Sequence, residues 1–443
     1  MRANSSLSAL ALCLAAGSAH ATPENTEGYG SRETALAGAV SADVPNGSAV
    51  FYNPSGLVMA KSSELALGYA SLGSSLTGNG TTGGVPMRRG LDLSLLGRGT
   101  LLELPVAFGL AVGLSNGHLS QSESLSAAEP RWVLYDGLPE LVNVGADVAV
   151  EPWPWLSVGG GVGFLAEMNG HFDVTGTARL SDGKGAEYDS TLRHAVNADL
   201  LTVRYPTLGV TARPHPALAL AVAYRGQAEL DERISGTLAG IVDAGLLKVP
   251  IVYDFTTESV VAFQPRELTF GASVHGPHTC VNVDLVWQEW SRYPSPVSRS
   301  GSHIQAELPP GFMLNLPANS ELAARTSAHF SDRLSPHIGV EHKLPLDARV
   351  GLALRGGYAY EPSPVPSHQS AHLVDAARHV FALGVGLELA PVLSLSRLEL
   401  ATHALWSHLP SRTLSSNAPL GPRTFSASGD ALGAGLTLTL GFH

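Results

Sequence analysis

Cysteine is nearly absent: Cys13 and Cys280 are the only two in 443 residues. Cys13 sits inside the first apolar run with further apolar residues after it, which reads as filler of a leader core and not as a lipidation site. Cys280 then stands alone, so no internal disulfide staples the fold. Long hydrophobic runs are also missing. A helix needs about 20 consecutive apolar residues to cross a bilayer, and no segment after the start supplies them. Charge is scarce, at 15% of residues, and its balance is acidic, with 27 Lys and Arg against 38 Asp and Glu. With no basic patch, nucleic acid is not an expected partner. The start itself, MRANSSLSALALCLAAGSAHA, carries Arg2, an apolar run from Leu7 to Ala16 and the small-x-small triplet Ala19-His20-Ala21. This pattern predicts a secretory signal peptide over residues 1–21.

What the chain has in quantity is glycine, 48 residues of it, and a period of two. The C-terminal stretch GDALGAGLTLTLGFH places Leu432, Ala434, Leu436, Leu438, Leu440 and Phe442 at alternate positions, with Gly and Thr between them. Alternate side chains of a strand point to opposite faces, so one face is apolar and the other small and polar. The same alternation recurs at VAFGLAVGLS (106–115), at ALALAVAYR (217–225) and through residues 348–360. Fourteen such strands are predicted, near 63–74, 90–97, 104–115, 139–151, 155–168, 199–213, 217–232, 264–275, 279–292, 332–343, 346–361, 376–390, 394–408 and 428–442. Their length of about 10 residues suits a tilted crossing of a bilayer.

The connections alternate between short and long. EPWPW (151–155), RPHPA (213–217), HGPHT (275–279), KLPLD (343–347), APVLS (390–394) and the turn at 99–103 are short, while 116–138, 169–198, 233–263, 293–331 and 409–427 are long. A soluble sandwich shares the period of two but has no reason to alternate its turns along the whole chain. Short turns on one side and long loops on the other describe an outer-membrane barrel. The predicted fold is therefore all-β, a 14-stranded antiparallel transmembrane barrel spanning residues 61–443. An even strand count leaves both termini periplasmic. Trp153 and Trp155 at a short turn, and Trp287, Trp290 and Trp406 near the opposite ends, are expected in interfacial girdles.

Between the leader and the first strand, residues 22–60 are too short for a domain, yet carry Leu36, Val40, Val50, Phe51 and Tyr52, which need burial. A hatch plugging the lumen satisfies this, with lumen-facing glycines such as Gly159, Gly161 and Gly163 leaving room. At this segment, Gly30, Arg32, Ala35, Gly38, Asp43 and Asn53-Pro54-Ser55 resemble the hatch of the FadL family of outer-membrane transporters, in which Asn-Pro-Ala is characteristic. DLVWQEWSRY around Trp287, Trp290 and Ser291, GYAYEPSPVP from Gly357, and HLVDAARHVFALGVG with Asp375 and Arg378 resemble three further motifs of that family, in the same order. The resemblance implies uptake of long-chain fatty acids or other hydrophobic molecules. It further implies capture by outer loops, a lumen site, and lateral release into the membrane at a kinked third strand. The expected protein is a monomer, without cofactor, whose partners are the hydrophobic ligand and outer-membrane lipid.

For ligand contacts, the stretch 233–263 is too apolar for an ordinary loop, so Ile241, Leu246, Leu247 and Ile251, with Val242 and Val249, are candidates for an outer capture groove. Inside, parity directs Arg225, Glu267, Asp284, Arg349, Arg355, Arg397, Glu399 and His403 at the lumen. Arg225, Arg355 or Arg397 suits a ligand carboxylate, since guanidinium meets carboxylate in a two-pronged geometry. The alternative is that these arginines pair with the acidic residues or with the hatch. Two rival classes stand beside transport. Gly113-Leu114-Ser115-Asn116-Gly117 fits the G-x-S-x-G of hydrolases, but no helix follows to build their elbow. His337 with His342 and His372 with His379 have no recognised zinc spacing. A structural or adhesive barrel is the other rival, and it requires neither plug nor apolar loop.

Overall fold

The computed structural model describes residues 28–78, 81–115, 131–132, 135, 142–174, 179–181, 187–189, 194–243, 248–294, 299–306, 319–322, 324–325, 327–369, 372–389, 391, 395–418 and 421–442. The predicted signal peptide lies outside them. Fourteen strands form the barrel. They are β1 Ser63–Gly78, β2 Thr81–Leu101, β3 Leu104–Ser115, β4 Val142–Trp153, β5 Leu156–Val174, β6 His194–His215 and β7 Leu218–Arg225. The second half comprises β8 Glu267–His275, β9 Thr279–Gln288, β10 Arg333–Pro345, β11 Val350–Glu361, β12 Arg378–Leu389, β13 Leu395–Ser416 and β14 Thr424–Phe442. Each pairs antiparallel with its neighbours in sequence, and β14 returns to β1 from Ser63↔Phe442 to Gly78↔Ala427. The sheet is closed.

The period of two holds around the ring. On β14, Leu432, Leu436, Leu438 and Phe442 are exposed, whereas Ala431 between the same strands is buried. Phe108, Val148, Leu208, Leu220, Phe270, Ile338, Leu354 and Leu383, from eight other strands, are also exposed. Their sum is an apolar belt far larger than the few hundred Å² that a soluble monomer exposes, as a lipid-facing barrel requires. No described helix is long and apolar enough to cross a membrane.

Several boundaries depart from the sequence reading, and mostly on the long-loop side. β1 and β2 pair as far as Gly78↔Thr81, so the first outer connection is a hairpin of extended strands. β13 and β14 likewise pair out to Ser415↔Thr424, leaving little of the expected loop at 409–427. Backbone pairing needs no apolar face, so strands run on past the belt that the alternation marks. The stretch 233–263 is not a loop. Its described residues belong to the strands Ala228–Asp243 and Lys248–Gln264, which pair with each other, and Lys248–Gln264 also pairs with Arg299–Ala306 in a separate three-stranded sheet. The expected strand 217–232 ends at Arg225, where Gly226 N–H turns to donate to the Pro206 carbonyl at 2.8 Å.

Residues 28–60 fill the barrel. Two short helices, α1 Ser31–Ala35 and α2 Ala49–Tyr52, and a 3-10 helix, Pro54–Met59, are joined by turns. Gly30 caps α1 at φ 77°, where any side chain would strain the backbone and strike Glu33 and Ser48. Leu36, Val40, Val44, Val50 and Leu57 are buried at 0–4% exposure. Glycines on the inner wall admit this segment: a Cβ at Gly357 would meet the Leu36–Ala37 backbone, and one at Gly159 the Pro54–Ser55 backbone. Gly161 and Gly163, expected to do the same, instead make room for Asp147 and for the Tyr205 ring of adjacent strands. Thr437 on β14 donates to Ser31 Oγ at 2.9 Å and accepts from Ser31 N–H at 3.0 Å, so the closing strand also holds the plug.

Leu436→Arg is expected to cost about 2–4 kcal/mol if this position is near the bilayer midplane, because an unpaired guanidinium enters hydrocarbon. Urea unfolding of the protein in lipid vesicles measures this, and a cost near zero both here and at Leu432 and Leu438 on the same face would place that face away from lipid.

Candidate functional site

The hatch is anchored by polar groups that cannot reach water. Asn53, wholly buried, donates to the Ser41 carbonyl at 2.7 Å and to Thr211 Oγ1 at 3.0 Å. Its carbonyl accepts from Ser55 N–H at 3.1 Å and from Ser55 Oγ at 2.8 Å. Pro54 begins the 3-10 helix, where a missing N–H costs nothing. Ser55, standing where the resembled motif has Ala, contacts Thr211 Oγ1 at 2.8 Å and so ties the turn to β6. Three strands further round, on β9, Asp284 accepts from Val40 N–H at 3.0 Å, Ser41 N–H at 2.9 Å and Ser41 Oγ at 2.8 Å.

Above and below the hatch lie two chambers. The one on the long-loop side holds about 120 Å³ and is walled by Phe51 and Tyr52 of the hatch with Arg225, Glu267, Arg333, Glu361 and Arg378 of the barrel. The one on the short-turn side holds about 470 Å³ and is walled by Arg32 and Asp43 with Glu341, Arg355, Arg397 and Glu399. The three candidate arginines are thus divided. Arg225 pairs with Glu267 at 3.3 Å, donates to the Phe51 carbonyl at 2.9 Å and lies 4.1 Å from the Phe51 ring centroid. Arg355 meets Glu341 at 2.6 Å and Glu399 at 2.9 Å. Arg397 meets Glu64 at 3.1 Å and Glu399 at 3.4 Å. His403 lines neither chamber; its buried ring lies against Gly435 of β14. Arg349, expected in the lumen, is exposed in the turn before β11.

Arg32 joins this lower network to the hatch, bonding Asp43 at 2.7 Å and Glu341 at 3.1 Å. Alternating charges therefore run from the hatch through β10, β11 and β13 to β1. Buried ions are tolerated only when paired, and removing one member strands its partner at a cost of about 3–5 kcal/mol.

Beyond the upper chamber, on the long-loop side, lies an apolar cluster that the sequence reading missed. Phe263, Trp290, Tyr293 and Phe330 pack ring on ring, with Tyr293 stacked on Phe330 at 4.7 Å. Trp290, expected at the membrane interface, is 0% exposed. It lies on the 3-10 turn Trp290–Arg292, whose C-cap is Tyr293. A period of three aligns side chains three apart, which brings these two rings together. The spacing Trp290-x-x-Tyr293 was the available signal. Arg333 lies 5.5 Å from the Trp290 ring centroid and so joins the cluster to the chamber wall. Leu373, Val374 and Ala376 extend the cluster over the rim, beside Trp132. Leu246 and Leu247 lie outside the described residues, as do the side chains of Ile241 and Ile251. The backbones of the latter two sit at adjoining rungs of the outer sheet, Gly240↔Ile251 and Ile241↔Pro250.

Asn53→Ala leaves the Ser41 carbonyl and Thr211 without their donor and is expected to loosen the hatch by about 1–3 kcal/mol. Faster hydrogen exchange over residues 28–60, with barrel strands unchanged, is the expected readout. At the rim, burial pushes the Asp375 carboxyl up to about 6, against the opposing pull of Ser363, Arg333, Arg378 and Arg412. A carboxyl raised above its unfolded value of about 3.9 supports packing fully below that pH and loses its contribution as pH rises through the folded value. Protection of the 362–377 segment from protease should fall between pH 4 and 7, as a range of about three units, and Asp375→Asn should flatten the dependence.

Three comparisons with known proteins bear on this arrangement. No family model matches the chain. An alkane uptake protein A of Marinobacter nauticus is 23% identical over 358 residues, 76% of this chain and 73% of that protein. Among solved structures, a FadL homologue of Pseudomonas aeruginosa superposes with a TM-score of 0.58 at 15% identity, over 97% of this chain and 100% of that one. The toluene transporter TbuX of Ralstonia pickettii superposes with a TM-score of 0.54 at 15% identity, over 95% of this chain and 100% of that one. The chain thus shares the whole fold of these barrels, with weak similarity in sequence.

Proposed function

We propose that this chain carries hydrophobic small molecules across an outer membrane by passive diffusion. The observation that supports it best is the order of environments along the lumen. An aromatic cluster sits at the mouth, a small chamber follows, then a hatch held by hydrogen bonds and ion pairs, then a wider chamber. A molecule poorly solvated by water gains by entering the aromatic cluster, and movement of the hatch opens the way between chambers. No energy source is needed beyond a concentration difference. In this reading the short turns and both termini are periplasmic, the protein acts as a monomer, and it performs no covalent chemistry. Ligand leaves sideways into the membrane.

Long-chain fatty acids are the ligand class implied by the motif resemblance. One observation favours neutral hydrocarbons as a second reading: Arg225, Arg355 and Arg397 each already meet a carboxylate of the barrel wall. A ligand carboxylate would have to displace that partner. The names of the similar proteins, an alkane uptake protein and a toluene transporter, point the same way.

Uptake of labelled oleate, hexadecane and toluene by cells lacking their own hydrophobic transporter tests the proposal. Expression of this chain should raise uptake of at least one, and Trp290→Ala should lower that uptake by about two- to tenfold, the worth of an aromatic contact. Ser115→Ala should leave it unchanged. Oleate-only uptake that falls with Arg225→Gln selects the fatty-acid reading. No uptake of any of the three, from a folded barrel in the outer membrane, would sink the transport proposal for these ligands.

A further inference from the structure

The hairpin between β8 and β9 reads His275-Gly276-Pro277-His278-Thr279-Cys280. Its register sets His275 directly opposite Cys280, which puts both side chains on one face of the sheet. That face is the lumen, where Cys280 is buried. The hatch brings a third donor from above: the Asp43 carboxylate lies 3.6 Å from Cys280 Sγ. One ligand atom from each of Asp43, His275 and Cys280 falls within 4.8 Å of the other two. They are 237 residues apart in sequence between Asp43 and Cys280, so only the seating of the hatch makes the group.

We propose that Asp43, His275 and Cys280 form a transition-metal site of zinc chemistry that clips the hatch to the barrel wall. The donor set is the first argument. A thiolate, an imidazole and a carboxylate suit zinc, and the thiolate selects against magnesium and calcium, which take oxygen alone. Spacing is the second. A tetrahedral ion with bonds of about 2.3 Å to sulfur and about 2.0 Å to oxygen needs those atoms about 3.5 Å apart. Asp43 and Cys280 stand at that separation. A ring nitrogen of the half-buried His275 lies within 4.8 Å of both.

Outer partners for the donors are in place. Ser273 Oγ lies 3.1 Å from His275 Nε2 and 3.1 Å from Cys280 Sγ, holding both in register. Arg32 donates to Asp43 Oδ2 at 2.7 Å, as a ligating carboxylate commonly requires. All three ligands line the 470 Å³ chamber, so a water has access to the fourth position. His278 borders the same chamber but is exposed beyond the turn. An ion bound here links a hatch residue to two wall residues by coordination, and so holds the hatch in its closing position.

The full-length protein, purified in detergent, would be titrated with cobalt(II) as a spectroscopic probe and zinc(II) as competitor. One equivalent of cobalt with a thiolate charge-transfer band, displaced by zinc, is expected. Cys280→Ser should abolish the band. Even outer partners of a metal are worth about 10- to 100-fold in affinity, so Asp43→Asn and His275→Ala should each weaken zinc binding by at least about tenfold. His278→Ala should leave it unchanged. Heat-modifiable gel mobility confirms that each variant is folded. A folded wild type with no thiolate band, a band insensitive to Asp43→Asn and His275→Ala, or binding lost only in His278→Ala would each overturn the assignment.

Discussion

A peptide group surrounded by hydrocarbon has no water to bond, and each one left unpaired costs several kcal/mol. That constraint organises this molecule. It forces β14 onto β1 over sixteen residue pairs, from Ser63↔Phe442 to Gly78↔Ala427, because an open edge in lipid is untenable. Closure then divides every strand into a face for lipid and a face for the lumen. The lipid face takes Leu, Val and Phe. The lumen face, enclosed by a ring of this size, has to be filled or flooded.

The chain fills it with its own residues 28–60, and the choice of side chains on the inner wall follows. Where the hatch comes closest the wall is glycine, as at Gly357 and Gly159. Where hatch backbone is left without helical partners the wall offers side chains: Asp284 to Val40 and Ser41, Arg225 to Phe51, His337 to the Ala37 carbonyl at 2.8 Å. The ionic residues of the lumen are therefore first of all the means of holding a short, irregular segment that buries only a modest apolar core. A segment held by many moderate polar bonds, and not by one large apolar interface, can rearrange in parts. Local opening of such a segment does not require the barrel to unfold.

The aromatic cluster at the mouth answers a different need. Phe263, Trp290, Tyr293 and Phe330 are supplied by connections between strands, not by the lipid-spanning parts of the strands themselves. Apolar groups assembled there adjoin the polar upper chamber through Arg333, which lines it. Arg333 is shared, facing the Trp290 ring on one side and Glu361 at 3.1 Å on the other. The aromatic cluster and the charged chamber wall therefore adjoin through one guanidinium.

The sequence by itself determined the number of strands, their inward and outward faces, and the need for a plug. These follow from local properties: a period of two, Pro and Gly at short turns, and five apolar side chains in an otherwise small segment. Strand ends on the loop side were not legible, because pairing there continues without any apolar alternation. Nor was the status of residues 233–263, whose apolar character fits a hairpin as well as a loop. Trp290 shows the limit most clearly: a tryptophan near a strand end is interfacial or buried depending on which loops fold over it. Only the tertiary structure decided that, and only it brought Asp43 to Cys280, or divided Arg225 from Arg355 and Arg397. Such meetings are between residues far apart in the chain, and they depend on how deep the hatch sits, which no local pattern encodes.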